Sequence, residues 1–198
     1  ALCAATALGE IPPHFSPPES FPPTPTRTNA LRVSPVAAEA ALMAAVGAGA
    51  ALSSLTTDAP GSVVMNAGSV ITTGAQTYND AVTLSRHTTL TSSADSLHWV
   101  SMASGASPFD LNLNTATALA LADIDIGGNL HVTTQATGVT QQASTHVWVG
   151  GTSTFTADTG TLQDAALTST DNRFVGVLTL DATNSGSWRN VSVKTTAP

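Results

Sequence analysis

Lysine occurs once in the chain, at Lys194, and cysteine once, at Cys3. Lysine and arginine together number six against 13 aspartates and glutamates, for a net charge of −7. So few cations cannot neutralise a row of phosphates, which excludes nucleic acid as a partner. They also supply no basic patch for an anionic membrane surface. A single cysteine excludes a disulfide framework and any multi-cysteine zinc site. Charged residues of both signs make up 10% of the 198 positions, where an ordinary globular domain carries roughly a quarter. Something other than charge must keep this chain in water.

Proline is scarce over most of the sequence but crowded at its start. Nine of the eleven prolines fall in residues 1–60, leaving Pro108 and Pro198 beyond. From Ile11 to Pro25 they come as Pro12-Pro13, Pro17-Pro18, Pro22-Pro23 and Pro25. Prolines at that density remove ladder donors and fix φ, so residues 1–35 are expected to be disordered, polyproline-like coil. Pro22 and Pro25 also form a PxxP match, the pattern read by proline-binding domains. Val36 to Leu55 is alanine-rich, and its propensity predicts a short helix interrupted by Gly47 and Gly49. That helix or linker, residues 36–60, is placed to cap the body that follows. A displaced export signal is the alternative, since Arg27 and Arg32 precede it. Glu39 within the run argues against a membrane span. The chain opens on Ala1 and is expected to be a piece of a longer protein.

Beyond Gly61 the composition changes. Residues 61–198 hold 25 threonines and 15 serines. Apolar-x-apolar steps recur: Val82-x-Leu84, Leu111-x-Leu113, Ile124-x-Ile126, Leu130-x-Val132, Val147-x-Val149, Leu178-x-Leu180 and Val191-x-Val193. Such period-two alternation, bounded by Gly, Asn, Asp and Ser, is a strand signal. This part is predicted to be all-β.

The segment also matches itself. Thr137–Ala143 aligns with Thr159–Ala165 at an offset of 22, and Gly127-Gly128 with Gly150-Gly151 at 23. Phe155–Asp158 aligns with Leu178–Asp181, again at 23. A period in the twenties with short strands in each unit points to a β-solenoid. At roughly 22 residues per coil, residues 61–198 make about six coils. Stacking explains the scarcity of charge, because like charges on one outward position would lie about 4.8 Å apart on successive coils. Threonine suits such positions, being β-branched and hydroxylated. A β-sandwich is the rival all-β fold, but it predicts no fixed period.

Four stretches carry a resemblance. They are Ile71–Leu84, Gly127–Thr134 with Gly138–Gln141 after it, Val149–Ala157, and Asn172–Leu180. Together they resemble the repeats of large bacterial exoproteins of the filamentous haemagglutinin type, over about residues 66–195. The resemblance implies a right-handed parallel β-helix exported across both membranes of a Gram-negative cell, through an outer-membrane secretion pore. It also implies display or release as an adhesin, with a host or bacterial cell-surface glycan or protein as partner. Trp99, Trp148 and Trp188, and His87, His98, His131 and His146, depart from that style, where small polar residues are commoner.

Chemistry is thinly represented. Asp123 and Asp125 fall on one strand face and could pair as carboxylates, and Asp110 lies nearby in sequence; these are the candidates for a carbohydrate-active β-helix. The bland reading is that they are solvated, with Ile124 and Ile126 inside. The four histidines beyond Gly61 share no metal-ligand spacing, so neither a metal nor any other cofactor is expected. No nucleophile elbow and no phosphate loop appears. Thr115-x-Thr117, Thr152-x-Thr154-x-Thr156 and Thr168-x-Thr170 raise ice binding, but at no fixed offset. Asn190-Val191-Ser192 matches a glycosylation sequon by pattern. Ser92 to Pro108 is the candidate excursion from the coil, with Trp99, Met102 and Phe109 as its binding residues; their alternative is the core. The expectation is a non-catalytic structural or adhesive segment, with no nucleic-acid partner and no membrane span.

Overall fold

A computed structural model describes residues 30–33, 39–104 and 107–196. The proline-rich run from Ile11 to Pro25, with its PxxP match, lies outside them. Strand follows strand in the described residues, each short because its alternation is short. The first are β1 (Ala30–Val33), β2 (Glu39–Leu42), β3 (Ser54–Thr57), β4 (Ser62–Met65) and β5 (Ser69–Thr72). Next come β6 (Gln76–Leu84), β7 (Thr88–Ser92), β8 (Leu97–Ala103) and β9 (Leu111–Thr115). Two three-strand coils follow: β10 (Leu119–Leu121), β11 (Asp123–Ile126) and β12 (Leu130–Thr134), then β13 (Gly138–Gln141), β14 (Val147–Val149) and β15 (Ser153–Asp158). The last are β16 (Leu162–Leu167), β17 (Arg173–Phe174), β18 (Leu178–Thr183) and β19 (Ser187–Val193).

Every pairing between these strands is parallel and joins one coil to the next. The first sheet runs β1-β3-β6-β8-β11-β14-β17, with β2 and β4 joining at β6; the second runs β5-β7-β9-β12-β15-β18 and the third β10-β13-β16-β19. The result is an all-β parallel solenoid of about 7 turns. Successive coils of the second sheet are offset by 20, 23, 19, 23 and 25 residues, which brackets the period near 22 read from the sequence.

Alternation and register together build the core. Val70, Leu90, Leu113, Val132, Phe155 and Leu180 form one continuous inward column. The first five are fully buried, and each such burial is worth about 1.5–3 kcal/mol against leaving the side chain in water. Val63, Val82, Met102, Ile124 and Val147 form a second column. Polar side chains inside are tied down. Gln76 donates to the Val70 and Thr91 carbonyls and accepts from the Tyr78 hydroxyl. Gln163 donates to the Thr134 and Asp158 carbonyls.

Two expectations need correcting. No described residue of the alanine-rich stretch is helical. Glu39–Leu42 is a strand paired with β4, and Val46 exchanges backbone bonds with Ser69 and Ile71 at 2.9 Å each. Propensity yields here because the neighbouring coil satisfies the backbone that a helix would have satisfied internally. Gly47 turns the chain at a φ of +76°, a conformation that suits glycine. The ladder therefore reaches Ala30, well before Gly61.

The repeat anchors also shift. Gly127-Gly128 stacks under Gly150-Gly151 at 23, as the sequence alignment has it. Phe155, however, pairs with Leu180 at 25, and Val139 with Ala165 at 26. The strands are held in register while turns of unequal length absorb the difference. Slips of two and four residues preserve the inward face, which is why the alternation still read correctly.

Glycines mark the tightest corner. Gly151 donates its N–H to Gly128 O at 2.9 Å, and Gly176 to Gly151 O at 3.1 Å. A Cβ on Gly151 would lie 2.4 Å from Asn129 Oδ1 and 2.6 Å from Gly128 O. Gly151→Ala is therefore expected to cost about 1–3 kcal/mol, read as a lower urea midpoint; an unchanged midpoint would show that the corner has room. Asp80, at the register shift between Tyr78 and Ala81, is 2% exposed with neither carboxylate oxygen hydrogen-bonded among the described residues. Removing that burden with Asp80→Val should raise the thermal midpoint, by about 1–3 kcal/mol of stability. A fall would mean that the carboxylate is bonded in solution.

Candidate functional site

Strand alternation decides which side chains can meet a ligand. Trp99 and Met102 are each 1% exposed and point inward from β8, and the Trp99 Nε1–H donates to the Asp123 carbonyl at 3.2 Å. Phe109 is half-buried against the core and meets the His87 ring edge-on at 5.8 Å. Trp99 and Met102 are therefore core side chains, and Leu97–Ala103 is regular strand because its apolar residues fit columns set by the coils on either side.

The candidate carboxylates are spread out. Asp110, ahead of β9, pairs with His87 at 3.1 Å, while Asp123 pairs with His146 at 3.1 Å. Asp123 and Asp125 do share the outward face of β11, with Ile124 and Ile126 buried beneath. Among the described residues no three His, Cys, Asp or Glu side chains gather as a metal would require. Outward positions of the second sheet are mostly threonine, with asparagines on β9, in columns such as Thr89, Asn112, His131, Thr154 and Thr179. His131 breaks that column, and Thr115 is buried rather than presented.

The most distinctive surface lies on the first sheet. Asp125, Trp148 and Arg173 occupy one outward position on three successive strands, β11, β14 and β17. Beside them, Gly127 and Gly150 leave the corner without side chains, and Val175 closes the far wall. The resulting cleft, of about 190 Å³, is lined by Asp125, Gly127, Trp148, Gly150, Arg173 and Val175, among others. Trp148 is 43% exposed and Val175 62%. The indole is nonetheless fixed: its Nε1–H donates to the Asp171 carbonyl at 2.6 Å, and the His146 ring packs on it at 4.6 Å. His146 is held in turn, its backbone N–H donating to Asp123 Oδ1 at 2.8 Å.

Neither the Asp125 carboxylate nor the Arg173 guanidinium has a hydrogen-bond or ion-pair partner among the described residues. The cleft thus offers a rigid aromatic surface, an acceptor on one side and a donor on the other. That combination can bind, and it contains no nucleophile paired with a base. Nothing in the sequence reading singled out this trio. The signal was there, since Val147 and Val149 turn inward and so force Trp148 out.

Residues 109–181 match a family described as repeats of unknown function (DUF5649), a span of less than half the chain. That span contains Asp125, Trp148 and Arg173 together with the stacked corner glycines, so the groove is built within the matched repeats. No curated protein and no solved structure matches the chain.

Two carboxylates near the last coil are electrostatically tied. Arg189 donates to both oxygens of Asp164, by Nε at 3.0 Å to Oδ1 and by Nη2 to Oδ2, and holds its pKa below the ordinary 3.8. Thr183 and Asn184 donate to Asp158 and lower its pKa in the same way. A carboxylate held below its unfolded value stabilises the fold above that value, and the contribution is lost as pH falls through the folded value. Amides of β18 and β19 are therefore expected to lose protection, relative to those of β7 to β12, as pH drops below 3.8. Equal protection across the coils at pH 3 would contradict this.

Proposed function

We propose that this chain is a structural and adhesive segment, without a catalytic centre, of a bacterial exoprotein displayed at or released from the cell surface. The observation that carries the reading is the stacking itself: about seven parallel coils around one continuous apolar core, with outward faces that are threonine-rich and sparsely charged. A repeat of this kind grows by adding coils, so it spans distance with few distinct parts. The sequence resemblance to filamentous haemagglutinin-type exoproteins supports placing such a rod outside a Gram-negative cell, delivered through an outer-membrane secretion pore. Among the described residues no helix is long and apolar enough to cross a membrane. A low positive charge directs the surface away from polyanions and toward uncharged glycan or protein partners.

Antibodies raised against residues 61–198 are expected to label intact cells of the source bacterium, with surface proteolysis removing the signal. Labelling that appears only after permeabilisation would sink the reading.

A further inference from the structure

We propose that the cleft formed by Asp125, Trp148 and Arg173 is a binding site for a neutral pyranose unit of a glycan. The proposal rests on the adhesive reading and names its contact.

The trio departs from its surroundings in three respects. It places a tryptophan, 43% exposed, on the outward face, whereas the other large hydrophobic side chains that stand exposed among the described residues are not aromatic. It leaves one carboxylate and one guanidinium unpartnered in a chain where charge is scarce. It opens beside a corner where Gly127 and Gly150 stack, Gly150 N–H donating to Ile126 O at 2.8 Å, and both glycines line it. A Cβ on Gly150 would lie 2.7 Å from Gly127 O, so the bare floor is set by the stacking and does not depend on the ligand.

The chemistry then selects the occupant. One face of a pyranose ring carries axial C–H groups, weakly positive, which suit the negative face of an indole. Its hydroxyls both donate and accept, so one ring can donate to Asp125 and accept from Arg173 from the same stacked position. Charge in the cleft sums to zero, which favours an uncharged sugar over an acidic one. At about 190 Å³ the cleft is smaller than drug-sized pockets, which begin near roughly 300 Å³, and it suits a single ring. A proline-rich peptide also stacks on tryptophan, but proline has no N–H to give the acceptor-only Asp125 carboxylate. The indole is already immobilised by Asp171 and His146, so little ordering is needed on binding.

The test uses the full chain, with tryptophan fluorescence and calorimetry against lactose, maltose, chitobiose, 3′-sialyllactose and a peptide of residues 11–25. At least one neutral disaccharide is expected to bind saturably, with a dissociation constant of about 1 mM. Trp148→Ala should abolish that binding, while Trp148→Phe should keep part of it. Asp125→Asn and Arg173→Gln should each weaken it by about tenfold. Trp188→Ala should bind as the parent does, and the urea midpoint of each variant checks its fold. The proposal is overturned if no neutral saccharide binds, if binding survives Trp148→Ala in a folded protein, or if only the sialylated sugar or the peptide binds. Binding that survives Trp148→Ala leaves the adhesive reading standing and removes only the groove. New reducing ends formed from the bound sugar, and lost in Asp125→Asn, would remove the non-catalytic reading and leave the groove.

Discussion

Each coil of this protein finds its backbone partners in the coils above and below it, in parallel register, and nearly every other feature follows from that one constraint. A parallel ladder fixes adjacent strands about 4.8 Å apart, so whatever a position carries is set against its counterpart in the next coil. Inward, this rewards repetition, and the column from Val70 through Phe155 is continuous. Outward, it penalises like charges. The single lysine and the profusion of threonine are the sequence record of that penalty.

The same constraint explains how polar groups survive inside. Gln76 and Gln163 lie within the stack, where their amides donate to main-chain carbonyls of the surrounding strands. Gln141 and Asn172 pair their amides across 31 residues of sequence, and the Asn172 oxygen also accepts from Val147 N–H at 2.9 Å. Asp80, the one buried carboxylate among the described residues, is left unbonded at a break in register. Corners obey the rule from the other side: Gly128, Gly151 and Gly176 approach too closely for any Cβ.

The Trp148 groove uses these features rather than departing from them. Its column places a carboxylate and a guanidinium two strands apart with an indole between, so no like charges adjoin along it. Its floor is the bare glycine corner that stacking requires. Binding capacity arises where one outward column is allowed to carry unusual residues beside a gap that the fold produces anyway.

Much of this was legible in the chain. Alternation at Leu111-x-Leu113 or Ile124-x-Ile126 specifies which side chains turn inward, because successive residues of a strand face opposite ways whatever surrounds them. A period near 22 and the stacked glycine pairs identify a solenoid for the same local reason. Other features depend on what lies one coil away. Whether Glu39–Leu42 becomes helix or strand is decided by the free edge of Ser62–Met65, and the pairing of Phe155 with Leu180 by turn lengths that alternation does not count. Trp99 and Trp148 look alike in sequence, yet one completes the core and the other stands exposed. Period and face were properties of the sequence by itself, being set by neighbours along the chain. Register, corner and cleft belong to the tertiary structure, because each is made by residues some 20 to 25 positions apart.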